Sequence, residues 1–386
     1  MTLFEIKNLV CSYDGKHPVL YISELDIPEG EICILFGKSG SGKSTLLETL
    51  GLMTNTIASS KVPIQTVYHY EGIQLLDDMS MELKFHGRHI KEKPEEVTYV
   101  NKTLGKLADK KAGINIWENS SKQRKLQQRL RAEYFAFIFQ STNLMPNFSA
   151  EENSAIPEMI DLKEVPCKKV KSNCPYKEYN DKCDLSNTMC AIVHARQTLD
   201  RDLKIPKHKL WEPARSFSGG QQQRITFARA HNSHFSVLFG DEPTGNLDNY
   251  NSKELMRVIR KLIDDSKSAN DGDPGPKSLS NNPNKAIRSA VIVSHSIDLT
   301  LQFANRIVFL ETKKYNDPED PDKKAEQYYG KIDSKLIYVS DSPTEDEKKR
   351  IWKRYNAEVD EKPLSYYEMD DMLTKFLREK DSPLSK

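Results

Sequence analysis

The sequence predicts an α/β fold, and three stretches predict it. The apolar runs Ile32-Cys33-Ile34-Leu35-Phe36, Val237-Leu238-Phe239 and Val291-Ile292-Val293 have the length and composition of buried strands. The first ends in a glycine-rich turn, the second in a pair of carboxylates and the third in a histidine. Buried strands that alternate with helical segments describe an open sheet with helices packed on it.

The first turn is Gly37-Lys38-Ser39-Gly40-Ser41-Gly42-Lys43-Ser44, followed by Thr45 and by Leu46-Leu47-Glu48-Thr49-Leu50, which reads as a helix. Strand, glycine-rich turn and helix in that order are the context of a phosphate-binding loop. Glycines let the backbone wrap an anion with its N–H groups turned inward, and the helix N-terminus adds partial positive charge. Lys43 can reach the outer phosphates, and the Ser44 hydroxyl can ligate Mg²⁺. The stretch predicts binding of a nucleoside triphosphate.

Composition bounds the rest. The chain has 386 residues, 29% of them charged, with a net charge of +1, so no global field points to nucleic acid or to an anionic membrane. No apolar run is long enough to span a bilayer. The N-terminal residues Met1-Thr2-Leu3-Phe4-Glu5-Ile6-Lys7 lack the basic-then-apolar order of a signal peptide. A cytosolic protein is expected, in which the six cysteines are thiols or metal ligands rather than disulfides.

Taken in order, residues 3–10, 22–27 and 32–36 read as strands, with turns at Gly15, Pro28 and Gly30. Tyr13 lies in the loop after the first. Residues 64–70 and 81–85 also look like strands, inside a lysine-rich insertion of about 54–120. A basic helix follows over 121–133. With no aromatic residues interleaved to stack bases, its charges read as a solvated face rather than a nucleic-acid surface. Phe135-Ala136-Phe137-Ile138-Phe139 is a buried-type strand that ends at Gln140, and an acidic helix start follows at Glu151-Glu152. Residues 161–212 form an insertion with a cysteine cluster. Residues 266–289, rich in Ser, Asn, Asp, Gly and Pro, read as a mobile loop. A charged appendix over 312–386 carries two Ser-x-x-Glu capping boxes, at Ser342–Glu345 and Ser365–Glu368, and so two expected helices. The second would place Met369, Met372, Leu373, Phe376 and Leu377 on one packed face.

Three further stretches carry chemistry. Phe217-Ser218-Gly219-Gly220-Gln221-Gln222-Gln223-Arg224 sets a second glycine pair before a helical run, a second anion site. Asp241 and Glu242 end an apolar strand, the first placed to hold Mg²⁺ through water and the second to polarise an attacking water. His295, at the end of the third strand, can hydrogen-bond a γ-phosphate or that water.

These motifs, at 37–44, Gln140, 217–224, 237–242, Asp248 and His295, resemble in kind and order an ABC-type ATPase domain. The wording around Asn143-Leu144-Met145-Pro146-Asn147-Phe148 and Glu242-Pro243-Thr244-Gly245-Asn246-Leu247-Asp248 resembles the bacterial lipoprotein-release, macrolide-export and cell-division ATPases. The resemblance covers somewhat under half the chain. It implies a P-loop NTPase core with an antiparallel β subdomain and a helical subdomain that carries the signature. Two such domains would pair head to tail around ATP. Ser218, Gly219 and Gly220, with Gln221 beside them, would close on the γ-phosphate held by the facing subunit. Gln140 would sense Mg²⁺ and water, and Tyr13 would stack on adenine. Phe217 stands where the family has leucine, and Ser296 where it often has aspartate, which weakens a contact at the helix start. The interval from Lys43 to Gln140 is roughly double the family's.

Cys167, Cys174, Cys183 and Cys190 are spaced C-x6-C-x8-C-x6-C. Four soft ligands suit Zn²⁺ or an iron–sulfur cluster, weighed against free or redox thiols and against disulfides. The leading expectation is the ATP-hydrolysing, Mg²⁺-dependent subunit of a membrane complex, peripheral on the cytoplasmic face and encoded apart from a membrane-spanning partner. The alternative is a soluble ABC ATPase in regulation, repair, translation or defence. The lack of a long coiled coil and of a second cassette argues against chromosome-tethering and two-cassette translation types.

Overall fold

The computed structural model describes residues 2–14, 17–54, 56, 80–86, 96–100, 121–161, 187–233, 235–268, 287–315, 327–340, 347–355, 357 and 361–378. In chain order the strands and helices are β1 (Thr2–Cys11), β2 (Leu20–Pro28), β3 (Ile32–Gly37), α1 (Lys43–Leu50), β4 (Ser80–His86), β5 (Glu96–Val100), α2 (Ser121–Tyr134) and β6 (Phe135–Ile138). Next come α3 (Ala150–Asp161), α4 (Asn187–Gln197), α5 (Gly219–His231), β7 (Val237–Asp241), α6 (Asn249–Ser268), β8 (Ser289–Val293), α7 (Ile297–Phe303) and β9 (Arg306–Tyr315). The chain ends with β10 (Gln327–Ile332), β11 (Ile337–Ser340), β12 (Ile351–Arg354), β13 (Leu364–Ser365) and α8 (Tyr366–Arg378). It divides into two compact units, Met1–Arg131 with Ser289–Lys386, and Ala132–Arg288.

In the first unit the strands run β5-β4-β1-β2-β10-β9-β3-β8. β3 pairs in parallel with both β8 and β9, as its apolar sequence requires: all six of its residues are buried. β1, β2, β4 and β5 pair antiparallel, the expected β subdomain. β10 joins the two parts, antiparallel to β9 and parallel to β2. It approaches the turn after β3 so closely that a Cβ on Gly330 would lie 2.0 Å from the Ser41 carbonyl oxygen, a spacing that only glycine permits.

The appendix departs from expectation. Its first capping box lies outside the described residues. The chain beyond it forms a 3₁₀ turn (Glu347–Lys349) and the strand β12 rather than a helix. β11 pairs antiparallel with β9 and β12, so part of the appendix extends the sheet. The residues after that box explain the strand: Ile351, Trp352 and Arg354 alternate without a helical apolar stripe. The second box is present, with the Ser365 backbone N–H donating to Glu368 Oε2 at 2.7 Å, and α8 buries Met369, Leu373 and Phe376 as expected.

In the second unit β6 and β7 pair in parallel, with Phe135, Phe137 and Phe239 stacked edge-on and face-on between them. α3 starts at a reciprocal capping box. The Ser149 Oγ accepts from the Glu152 N–H at 3.1 Å, and Glu152 Oε2 accepts from the Ser149 N–H at 2.8 Å. An Arg196–Glu151 pair, at 2.6 and 3.1 Å, ties α4 to α3. The expected strand over 64–70, most of the loop over 266–289, and Cys167, Cys174 and Cys183 lie outside the described residues.

Candidate functional site

Strand register places the candidate residues in two sets, one in each unit. In the first unit Leu35 of β3 lies beside Val293 of β8, and the Ser294 N–H donates to the Leu35 carbonyl at 3.3 Å. Two residues on, His295 is therefore level with Gly37, at the carboxyl ends of parallel strands where α/β sheets bind ligands. His295 is exposed there, while Ser294 is buried.

The turn from Gly37 to Gly42 has the backbone that a phosphate cradle needs. Gly40 and Gly42 have φ of 78° and 87°, left-handed conformations that glycine adopts without strain. A Cβ on Gly37 would meet the Leu310 carbonyl and Ser41 Oγ at 2.8 Å. Lys43 is buried and arches over the turn, its Nζ donating to the carbonyls of Gly37 at 2.9 Å and Lys38 at 2.5 Å. Tyr13 is 61% exposed, and its hydroxyl lies 3.1 Å from the Thr45 hydroxyl at the start of α1. An exposed aromatic ring is thus anchored by its edge beside the phosphate loop, the arrangement a stacked base requires. Ser39 and Ser44 complete the loop, with Ser44 at the first turn of α1.

In the second unit the same device recurs. Ile138 of β6 pairs with Gly240 of β7, which brings Gln140 level with Glu242, and Gln140 Nε2 donates to Glu242 Oε2 at 3.4 Å. Glu242 has φ of 48°, uncommon for a residue with a side chain and a form of strain that collects at functional sites. Asp241 precedes it as the last residue of β7. Asn246 Nδ2 donates to the Gln140 carbonyl at 3.3 Å and to Gln223 Oε1 at 3.2 Å. It ties the carboxylate turn, the Gln140 loop and the signature helix together.

Ser218 is the N-cap of α5, accepting from the Gln221 N–H at 3.4 Å, while Gln221 Oε1 accepts from the Ser218 N–H at 3.1 Å. Gly219 is exposed, and a Cβ there would find no atom within 4 Å. Phe217 is buried where the family has leucine, an apolar exchange in an apolar place. Asp248 accepts from the Asn251 backbone N–H at 2.9 Å, and that bond is the main cause holding its carboxyl below the ordinary range. Ser296, where the family often has aspartate, still caps α7, accepting from the Leu299 N–H at 3.3 Å.

Sequence reasoning missed three residues that shape the Gln140 loop. Asn153 is wholly buried, and its Nδ2 donates to the carbonyls of Met145, Phe148 and Ser149 at 3.0 to 3.2 Å. Arg229 on α5 donates to the carbonyls of Asn143 at 2.8 Å and Thr142 at 3.3 Å. Thr226 Oγ1 donates to the Thr142 carbonyl at 3.0 Å. The one available signal was a polar side chain on an otherwise apolar helix face, as at Asn153. Of the cysteine cluster only Cys190 is described, half-buried on α4. Among the described residues no group of three or more His, Cys, Asp or Glu could hold a metal ion.

The fold and the phosphate loop define a nucleotide-binding α/β protein with a signature helix. Residues 20–96 and 97–245 match the ABC transporter family, and the chain belongs to that family. It is 27% identical over 265 residues to the macrolide export ATP-binding/permease protein MacB of Bdellovibrio bacteriovorus, an alignment that covers 68% of this chain. The MacB protein of Pasteurella multocida is 30% identical over 67% of it. The chain spans about 29% of the length of these curated relatives. The L-cystine transport system ATP-binding protein TcyN of Escherichia coli is 26% identical, over 83% of this chain and 95% of its own. Among solved structures, the dimeric bacterial ABC transporter cassette MJ0796 aligns with a TM-score of 0.46 at 20% identity, over 79% of this chain and 93% of its own.

Proposed function

We propose that this chain is the ATP-binding and ATP-hydrolysing subunit of an ABC-type membrane transport complex, and that it acts as a head-to-tail dimer. The observation that carries the reading is the pair of register-matched strand ends. Leu35 pairs with Val293 and Ile138 with Gly240, so Gly37, His295, Gln140 and Glu242 all stand at or just past the carboxyl ends of parallel strands, where they would bind phosphate and orient water. Gly37 to Ser44 would cradle the phosphates, with Lys38, Ser39 and Ser41 adding backbone N–H groups, and Lys43 would neutralise the outer charge. Tyr13 would stack on the adenine. Glu242 would accept a proton from the attacking water, oriented by Gln140 and His295.

The donors for Mg²⁺ would be the Ser44 hydroxyl, the Gln140 carboxamide and the Asp241 carboxylate. All are hard oxygen ligands, as that ion prefers. Held by those donors, Mg²⁺ would supply positive charge beside the phosphates. Ser218, Gly219, Gly220 and Gln221 would engage the γ-phosphate bound by the facing subunit. The open space around Gly219 supports this, since among the described residues no atom would lie within 4 Å of a Cβ there.

A membrane partner is supported by the relatives: the MacB proteins carry the word permease in their own names. Met145, Phe148 and Trp211, each at least 45% exposed, lie on loops joined by the bond from the Ala214 N–H to the Phe148 carbonyl. Exposed apolar side chains on these loops would suit such a partner. The chain would then sit on the cytoplasmic face of the membrane. Cys167, Cys174, Cys183 and Cys190 would hold Zn²⁺ or an iron–sulfur cluster. Metal analysis of purified protein tests this, and a preparation lacking both ends it.

The test of the function is a pull-down of Glu242→Gln protein from solubilised native membranes with ATP and Mg²⁺ present. A stoichiometric polytopic membrane protein is the expected catch. Recovery of soluble dimer alone, or of nucleic acid, would move the protein to a soluble regulatory role.

A further inference from the structure

The ABC family resemblance stops at β9 and says nothing of the appendix, yet the appendix reaches the segment that carries His295. Ser296 is tied to α7 and Ser294 to Ser296, with His295 between them in the chain. Ser294 Oγ accepts from the Ser296 N–H at 3.1 Å, and the Ser296 carbonyl accepts from the Thr300 N–H at 3.0 Å and from Thr300 Oγ1 at 2.7 Å. Where α7 goes, His295 goes. With only seven residues, α7 has little rigidity of its own, and the last turn of a helix takes partners from outside its own ladder.

Arg350, from the appendix, supplies those partners. Its Nη1 donates to the carbonyls of Leu301 at 2.7 Å and Gln302 at 3.0 Å, and its Nη2 donates to the carbonyl of Ala304. Its Nε donates to Ser340 Oγ on β11 at 3.3 Å. The guanidinium lies 4.8 Å from the centre of the Trp352 ring, which is wholly buried. A buried cation at the carboxyl end of a helix also complements the helix dipole. Phe376 of α8 meanwhile packs on Phe309 of β9 at 4.8 Å and on Phe36 at 6.4 Å, one residue before Gly37. The appendix thus touches both elements that deliver groups to the γ-phosphate.

We propose that residues 333–340, 347–355 and 361–378 are a built-in brace that sets the position of His295, with Arg350 as its positioning residue. The inference rests on the catalytic role given to His295 above. A mere surface appendix would not send a buried arginine to three carbonyls at the end of the helix that carries this histidine.

The experiment is a double-mutant cycle on the full chain with Mg²⁺-ATP: wild type, Arg350→Gln, His295→Ala and both together. Arg350→Gln is expected to lower kcat about tenfold, with KM and nucleotide Kd changed less than about twofold, because orientation is lost and binding is kept. The double variant should be no slower than His295→Ala alone. Should Arg350→Gln not fold, Arg350→Lys keeps the cation but cannot serve all three carbonyls, and the same split is expected at intermediate size. A slow His295→Ala protein whose loss multiplies with that of the Arg350 variant overturns the brace and leaves the site intact. A kcat that holds while KM rises also overturns it. A His295→Ala protein that hydrolyses at full rate overturns the role of His295, and the brace with it.

Discussion

Gly219 and Gly40 are both glycines of anion-binding turns, and the structure separates their reasons for being glycine. A Cβ at Gly219 meets nothing within 4 Å, whereas Gly40 has φ of 78°. Gly219→Ala should therefore leave thermal stability equal or higher by about 0.4–1 kcal/mol, and still abolish ATP hydrolysis. Gly40→Ala should lose about 1–2 kcal/mol from backbone strain alone. Melting curves and turnover on the two variants check the contrast. Equal destabilisation would remove the argument that Gly219 is kept for an outside ligand. Cys11 and Cys33 behave differently again. Burial pushes their thiols from 9.0 to about 11 and about 12. A raised folded pKa means that their contribution to stability is complete below pH 9 and is lost as pH rises through 11 to 12. Urea midpoints should fall above pH 9, and Cys11→Ala with Cys33→Ala should flatten that fall. Below pH 9 neither thiol should react with alkylating reagents in the native protein, which mass spectrometry reads directly.

Elements depend on contacts that single residues do not reveal. Phe376 is 3% exposed and wedged against Phe36 and Phe309, so Phe376→Ala should cost about 3–5 kcal/mol. Ser149→Ala removes one end of the box that starts α3 and should cost about 1 kcal/mol. Denaturant titration ranks the two, and the reverse order would show that α8 contributes little to the core. How much of this was legible in the sequence follows from the range of each interaction. β3, β7 and β8 were readable because a buried parallel strand is a continuous apolar run. The phosphate loop was readable because its chemistry is contiguous. α8 announced itself by its capping box and its stripe. β12 was overlooked because the box before it promised a helix; its short alternating run becomes a strand by pairing with β11 and β13. The bonds from Arg229 and Arg350 to carbonyls far along the chain leave no local pattern at all. Tyr13, in a loop, has no local pattern of its own, and its hydroxyl contact with Thr45 spans 32 residues of chain.

At the scale of the whole molecule, each compact unit carries its own register-matched strand ends, and each exposes a turn shaped for an anion. The proposed dimer rests on the signature turn at Ser218 to Gln221, where the described residues leave the space beside Gly219 open to a ligand from outside. Dimer formation should therefore depend on nucleotide. Replacing Glu242 by glutamine keeps the side-chain length and removes the base, so hydrolysis should fall at least about a hundredfold while ATP binding persists. Sedimentation of Glu242→Gln protein with and without ATP is the most direct test. The prediction is monomer without nucleotide and a stable dimer with it, dispersed again by Gly219→Ala. Protein that stays monomeric at saturating ATP, with ATP demonstrably bound, would contradict the head-to-tail site.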